Sequence, residues 1–250
     1  MKKIAFVTGA TSGIGEAIAR ILAPNYALII CGRRVDRLNK LAEELKGQTD
    51  VHILSFDVSD ADAVNDAIDS LPSEWKDIEV LINNAGNAHG RAPIHEGDLA
   101  DWDAMIDGNL KGLLYVTRAI SPGMVKRKSG DIINIGSIAG KEVYPDGNVY
   151  CASKFGVDAA TNGMRLDLNP YGIRVVGIHP GLVETEFSMV RFKGDEDKSE
   201  SVYQGMTPLY AGDIAEAVKF VVERPPHVTI ADMTIFPTAQ ASSTIVNRQS

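Results

Sequence analysis

Thr8-Gly9-Ala10-Thr11-Ser12-Gly13-Ile14-Gly15 follows a short apolar run, Ile4–Val7, and opens an amphipathic stretch, Gly13–Leu22. Glycines at a strand-to-helix junction permit a tight turn. They also let backbone N–H groups and the helix N-terminus approach a pyrophosphate. The spacing is G-x-x-x-G-x-G rather than G-x-G-x-x-G, which separates this chain from the long dehydrogenases. Further apolar runs follow at Ala27–Cys31, Val51–Phe56, Val80–Ile82, Ile132–Ile135, Val175–Ile178 and Met233–Phe236. Between them the 3.6-residue period predicts helices around 36–45, 62–71, 102–128, 149–168 and 213–224. Uninterrupted apolar strands separated by helices mean a parallel sheet covered on both faces.

The predicted architecture is therefore α/β: a Rossmann-like doubly wound parallel sheet of about seven strands with helices on both faces. The 250 residues are 44% hydrophobic and 6% aromatic, enough for one sizeable core, and no linker-like composition shift divides them. A single domain over residues 1–250 is expected. One stretch, Glu184–Tyr210, is polar and weakly periodic; a segment of this length in a compact domain is either a lid over a site or a solvated insertion. The formal net charge of −8 argues against nucleic acid as a partner, because phosphate backbones need a basic face. Cys31 and Cys151 are two isolated thiols, so neither a disulfide framework nor a zinc site is expected. The apolar start stops at Thr8-Gly9, short of a signal peptide, and no run approaches the ~18 residues of a membrane helix. A reducing, cytoplasmic compartment is expected, with no membrane partner.

The second strand ends in Gly32-Arg33-Arg34, where a nucleotide-binding fold that prefers NAD carries an acid for the ribose 2′-OH. Two guanidiniums suit a 2′-phosphate, so NADP (NADPH) is the expected cofactor. The same arginines would also serve merely to open a charged helix. Asp57-Val58 after the third strand can hold an adenine amino group. Asn83-Asn84-Ala85-Gly86 after the fourth allows close backbone approach, although either motif is also an ordinary turn.

Tyr150-Cys151-Ala152-Ser153-Lys154 puts a phenol and an ammonium at i and i+4 on one helix face. A free phenol, with a pKa near ~10, is a poor proton carrier at neutral pH. A nearby cation favours the phenolate, making Tyr150 able to exchange a proton with an alcohol or carbonyl.

Taken together, the turn at 8–15, Asp57-Val58, Asn83–Gly86, Asn109, Ser137, Tyr150–Lys154 and Pro180-Gly181-Leu182-Val183-Glu184-Thr185 resemble the short-chain dehydrogenase/reductases, in that family's order and over nearly the whole chain. Gly32–Arg34, Gly147–Tyr150 and Glu186–Asp195 resemble more closely its NADP-dependent 3-hydroxy acid dehydrogenases. One departure is Ser12, where many NADP-preferring relatives carry a basic residue. The resemblance implies a catalytic group of Asn109, Ser137, Tyr150 and Lys154. Tyr150 would be the general acid or base, and Lys154 would lower its pKa and hold the nicotinamide ribose. Ser137 would bond the reacting oxygen, and Asn109 would anchor a proton relay. It also implies that Gly9, Thr11, Ser12, Gly13, Ile14, Gly15, Arg33, Arg34, Asp57, Val58, Asn84, Ala85 and Gly86 hold the adenosine and pyrophosphate. Pro180, Gly181, Val183 and Thr185 would cover the nicotinamide side. Members are commonly homotetramers, and Leu110, Leu113, Leu114 and Val116 suit either a subunit contact or the face against the sheet.

The expected reaction is hydride transfer between NADP(H) and short 3-hydroxy acids, such as serine, allo-threonine, 3-hydroxypropionate or 3-hydroxyisobutyrate, or their semialdehydes. A substrate carboxylate needs a donor near Ser137 and Tyr150, and Arg191 is the candidate for a paired bond, its alternative being a solvated loop arginine. Lys141 and Glu142 follow Ser137 closely enough to line the mouth, though solvent suits them better. A second reading takes a 3-oxoacyl thioester or a general ketone or aldehyde instead. A third is a non-catalytic NADPH-binding protein, which would usually have lost the Tyr or Lys. His52, His89, His95, His179 and His227 form no HxxxH or HExxH pair, so no metal is expected. Ser137 lacks a G-x-S-x-G elbow, against acyl transfer.

Overall fold

The computed structural model describes residues 2–249. In chain order its strands are β1 (Lys3–Val7), β2 (Tyr26–Cys31), β3 (Val51–Leu54), β4 (Ile78–Asn83), β5 (Gly130–Ile135), β6 (Ile173–Pro180), β7 (Val183–Glu184), β8 (Leu209–Tyr210) and β9 (Asp232–Ile235). Seven of them form one parallel sheet in the order β3-β2-β1-β4-β5-β6-β9, as the apolar runs predict, while β7 and β8 pair separately. The helices are α1 (Gly13–Leu22), α2 (Val35–Leu45), α3 (Ala61–Asp69), α4 (Leu99–Ile106), α5 (Gly112–Arg127), α6 (Asn148–Leu168), α7 (Phe187–Arg191), α8 (Glu196–Ser201) and α9 (Ala211–Val222).

Strand alternation divides the core into two layers. Ala5 and Val7 of β1 join Ile18 and Leu22 of α1, Leu38 and Leu41 of α2, and Ile214 and Val218 of α9 on one face. Ile4 and Phe6 point the other way, to Val64 of α3 and Val116, Ile120 and Met124 of α5. Each inner strand of the sheet buries both sets of side chains, which is why it reads as an unbroken apolar run rather than an alternating one. On α5 the same sorting resolves the apolar cluster noted in the sequence: Leu113 and Val116 are buried, whereas Leu114 faces outward.

Strand order reverses between β1 and β4, and ligands of open α/β sheets bind outside the strand ends at such a switch point. The Gly-rich turn follows β1 there and Asn83–Gly86 follows β4, so topology alone brings the two motifs together.

Several element ends move by one or two residues, and three differences bear on the architecture. β3 stops at Leu54, not Phe56, because it is an edge strand whose ladder ends where Cys31 pairs with Leu54. Residues 102–128 are not one helix: α4 starts at Leu99, capped by the Asp98 carboxylate on the Ala100 N–H, and a π-helical turn, Asp107–Lys111, separates α4 from α5. The extra residue in that turn shifts the phase of the helical pattern by one position between α4 and α5. The stretch 184–210 is not structureless, since it carries α7 and α8 and ends in β8. Among the described residues no helix is long and apolar enough to cross a membrane.

Candidate active site

The two turns at the switch point are stitched to each other. The Thr8 hydroxyl accepts the N–H groups of Asn84 and Ala85, each at 2.9 Å, and the Asn84 side-chain amide donates to the carbonyl oxygen of Thr8 at 2.9 Å. Gly9 and Gly13 hold φ values of +67° and +54°, a backbone region that disfavours side chains. Gly15 has another reason to be glycine: a Cβ there would lie 2.3 Å from the Gly9 carbonyl oxygen and 2.4 Å from Asn84 Nδ2. Of the cofactor-binding residues inferred from sequence, Gly15 alone does not line the cavity, because it is the contact that lets α1 start against the turn.

That cavity has a volume of about 850 Å³ and runs from Arg33, Arg34, Asp57 and Val58 at one end to Ser137, Tyr150, Lys154 and Arg191 at the other. Thr11, Ser12, Gly13, Ile14, Asn84, Ala85 and Gly86 form its floor, and Pro180, Gly181, Val183 and Thr185 its far wall. At the first end the Arg33 Nη1 lies 3.2 Å from an Asp57 carboxylate oxygen. Burial works against the Asp57 charge, yet the Ser59 N–H and hydroxyl, with Arg33, hold its carboxyl below the usual range. Arg34 donates to the hydroxyls of Thr11 at 2.9 Å and Ser12 at 2.6 Å. Ser12 thus supports a guanidinium where a basic residue was missing from the turn. Arg37, not singled out in the sequence, adds a third guanidinium beside Arg34; its position one helical turn after Arg34 was the available signal.

This end fits the 2′-phosphate of NADP. It offers charge-assisted, fork-shaped donors over a cradle with no room for an added Cβ at Gly9 or Gly15.

At the other end α6 carries Tyr150, Ser153 and Lys154, all buried. The π-helical turn delivers Asn109, whose side chain clasps the backbone of Asn87: its Oδ1 accepts the Asn87 N–H at 2.7 Å, and its Nδ2 donates to the Asn87 carbonyl at 2.9 Å. The same Nδ2 donates to Ser153 Oγ at 3.0 Å. The Asn109 side chain is thus fully engaged in fixing α6 and the turn after β4. An added Cβ at Gly86 would lie 2.9 Å from Asn109 Oδ1 and 3.7 Å from Lys154 Nζ, so that glycine separates the two groups. Ser137, following β5, accepts the Ala139 N–H at 3.1 Å, which orients its hydroxyl while leaving the proton to donate. A buried amide ladder, Thr117–Asn83–Asn134–Thr161, locks β4, β5, α5 and α6 together behind these groups. Such an internal ladder carries no periodic signal in the sequence.

The electrostatics correct one expectation. Lys154 donates to the Ile135 carbonyl at 3.1 Å, and burial brings its ammonium down to about 8. Burial pushes the Tyr150 phenol up from 10, reinforced by neighbouring Tyr144, while Ser137 and Arg191 draw it part of the way back. The protein by itself therefore favours the neutral phenol rather than the depressed one inferred from the Tyr/Lys pair. Both groups sit in a water-poor pocket, where desolvation disfavours either charged form.

Arg191, at the end of α7, lies inside the cavity and not in solvent. Its guanidinium carbon is 5.1 Å from the Tyr150 ring centroid, and its Nη2 donates to the Tyr144 hydroxyl at 2.5 Å. Its Nε is buried without a hydrogen-bond partner. A second guanidinium, Arg91, stands 5.5 Å from the Tyr144 centroid on the cavity rim. Phe187 closes over Tyr150 with ring centroids 5.7 Å apart. Arg91, Tyr144 and Phe187 escaped the sequence reading because they come from loops and a five-residue helix.

Lys141 and Glu142 do not line the cavity. Lys141 pairs with Asp158 at 2.8 Å and Asp232 at 2.6 Å, and Glu142 accepts the Ser243 N–H. His179, 3.0 Å from the same Asp232, completes a cluster of three potential metal ligands with Asp158. The Lys141 ammonium already bridges both carboxylates, so the cluster is an ion-pair network beneath β6.

Residues 3–196 match the family model described as short chain dehydrogenase. A sulfoacetaldehyde reductase of Chromohalobacter salexigens is 44% identical over 245 residues, covering 97% of each chain. An NADP-dependent 3-hydroxy acid dehydrogenase of Escherichia coli is 45% identical over 249 residues, covering 98% of this chain and all of that one. A closed form of serine dehydrogenase complexed with NADP+ superposes with a TM-score of 0.93 at 45% identity, over 98% of this chain and 100% of that chain. With the family model matched over residues 3–196 and relatives of 44–45% identity matched from end to end, the chain belongs to the short chain dehydrogenase family.

Proposed function

We propose that the protein is an NADP-dependent oxidoreductase that interconverts short 3-hydroxy acids and their semialdehydes. The observation that carries the substrate class is Arg191: a guanidinium held over the Tyr150 ring, with a buried Nε awaiting an acceptor. A carboxylate one or two carbons from the reacting centre would satisfy it, and a neutral ketone would not. The substrates for which the relatives are named support the same class, since hydroxy acids, serine and sulfoacetaldehyde all carry a small anionic head.

Arg33 and Arg34 would hold the 2′-phosphate, the turn at 9–14 the pyrophosphate, and Asp57-Val58 with Asn84–Gly86 the adenosine. Pro180, Gly181, Val183 and Thr185 would cover the nicotinamide, and Tyr150 and Lys154 its ribose. When bound, NADPH supplies the hydride for carbonyl reduction, and NADP+ accepts it in alcohol oxidation. In reduction, Ser137 donates a hydrogen bond to the carbonyl oxygen as charge develops there. Tyr150, kept neutral by burial, delivers the proton from its hydroxyl to that oxygen. Lys154 stabilises the phenolate left behind, and Asn109 keeps Lys154's helix in place through Ser153. In oxidation the same oxygen returns its proton to Tyr150. Segment 184–210 would act as the lid. The exposed Leu114 on α5 and Phe155 on α6 are suitable for a homotetramer contact.

The test is NADPH formation from NADP+ with L-serine, L-allo-threonine, 3-hydroxypropionate and 3-hydroxyisobutyrate, repeated with NAD+. Turnover on one or more acids with NADP+ is expected. Silence on all of them, together with reduction of a 3-oxoacyl thioester or an uncharged ketone, would replace the hydroxy-acid reading. NADPH binding with no turnover on any carbonyl would replace it with a non-catalytic one.

A further inference from the structure

Glu186 stands at the start of α7, where a short Ser, Thr, Asp or Asn side chain usually caps the helix. Glu186 does not cap it. The Thr185 hydroxyl accepts the Phe187 N–H at 3.2 Å, and no side-chain bond from Glu186 reaches the helix. The Glu186 carboxylate turns the other way, one oxygen 2.8 Å from Arg34 Nη1 and the other 2.6 Å from Arg37 Nη1. Arg34 donates from Nε and Nη2 to Thr11 and Ser12 in the Gly-rich turn, which leaves one Nη1 proton free for a phosphate. The chain from turn to helix is continuous: Thr11 and Ser12, Arg34 with Arg37, Glu186, then α7.

A five-residue helix spans about 7.5 Å, too short to hold its own conformation in water. It needs fastening at both ends. At its far end Arg191 reaches over Tyr150, and in its middle Ser188 Oγ meets the Tyr203 hydroxyl at 2.7 Å. At its near end the only charged fastening among the described residues is Glu186 on Arg34 and Arg37.

We infer that Glu186, through Arg34 and Arg37, is a positioning residue for substrate recognition: it fastens the helix carrying Arg191 to the arginines at the coenzyme-phosphate end of the cavity. Substrate capture is thereby coupled to order at the 2′-phosphate end. Because Arg191 is the group being positioned, the effect falls on anionic substrates and spares neutral ones. The inference rests on the reading of Arg191 as the substrate anchor.

The test compares Glu186→Gln, Arg37→Met and the double variant with the wild type at saturating NADPH. An anionic semialdehyde and an uncharged short aldehyde are measured side by side. Glu186→Gln, which breaks both ion pairs, should raise the KM for the anionic substrate roughly three- to tenfold, and Arg37→Met, which breaks one, roughly two- to threefold, with kcat within about twofold in each. The double variant should be no worse than Glu186→Gln alone, because the acid is needed for both pairs. The uncharged aldehyde should show no change in Glu186→Gln, and Glu186→Asp should recover part of the loss. Equal losses on both substrates, an effect confined to the KM for NADPH, or additive single effects would each overturn the inference. Arg191→Met separates the two failures. If it raises the anionic KM while Glu186→Gln does not, only the fastening is wrong; if Arg191→Met has no effect, the anchor reading falls first.

Discussion

The Arg191 guanidinium lies 5.1 Å from the centre of the Tyr150 ring while donating to the hydroxyl of Tyr144. A cation over an aromatic face is favourable, and here it also places a fixed charge beside the Tyr150 phenol. Replacing Arg191 by Met keeps much of the stem packing and removes the charge and the fork. The expected outcome is a rise of roughly ten- to a hundredfold in KM for hydroxy acids, the size of a lost charge-assisted bond, with a smaller effect on kcat. Steady-state kinetics on one acid decides it, and an unchanged KM would return Arg191 to a packing role.

Tyr150→Phe removes a single buried hydroxyl. Turnover should fall by about 10²–10⁴-fold, the contribution of a positioned general acid, while NADPH binding measured by fluorescence stays near wild type. A variant that keeps more than about a tenth of the wild-type rate would contradict the assignment.

Lys154 carries a stability cost with a definite sign. Its ammonium falls from 10.5 to about 8 on folding because it is buried. Between those values the unfolded chain binds more protons than the native one, so the burden is full below about pH 8 and is relieved as pH rises towards 10.5. Lys154→Met should therefore be more stable than wild type at pH 7, by about 1–2 kcal/mol after loss of the bond to Ile135, and inactive. That advantage should shrink steadily in denaturant unfolding repeated at higher pH. An advantage that grows with pH would mean the charge is stabilised in the fold.

At the coenzyme end Arg33 pairs only with Asp57, whereas Arg34 also supports Thr11 and Ser12. Arg33→Ala is accordingly the cleaner probe. It should raise the KM for NADPH about tenfold and leave that for NADH nearly unchanged, since exposed charge-assisted contacts to a phosphate contribute on the order of 1.5 kcal/mol. Equal effects on both coenzymes would remove Arg33 from the phosphate site.

Gly15→Ala tests packing rather than chemistry. The new methyl meets the Gly9 carbonyl and the Asn84 amide, neither of which can move without breaking the stitch between the two turns. A loss of about 1–3 kcal/mol in unfolding free energy is expected, with weakened NADPH binding. A thermal unfolding scan with and without NADPH measures both.

The sequence by itself determined the sheet, its strands, the Gly-rich turn and the positions of Tyr150 and Lys154, because these depend on local period and on spacing within one element. The π-helical turn at Asp107–Lys111 lay beyond it, since one added residue is too local to show in a period read over many turns. Tertiary structure alone decided that Arg191 enters the cavity, that Arg91 and Tyr144 stand beside it, and that Glu186 turns to Arg34 and Arg37, 152 and 149 residues away. It also reversed the sign expected for Tyr150, because the degree of burial is a property of everything packed around the pocket. Periodicity records which side of an element faces the core. It does not record which distant loop is folded over a strand end, and that is where the cavity-lining Arg91 and Arg191 come from.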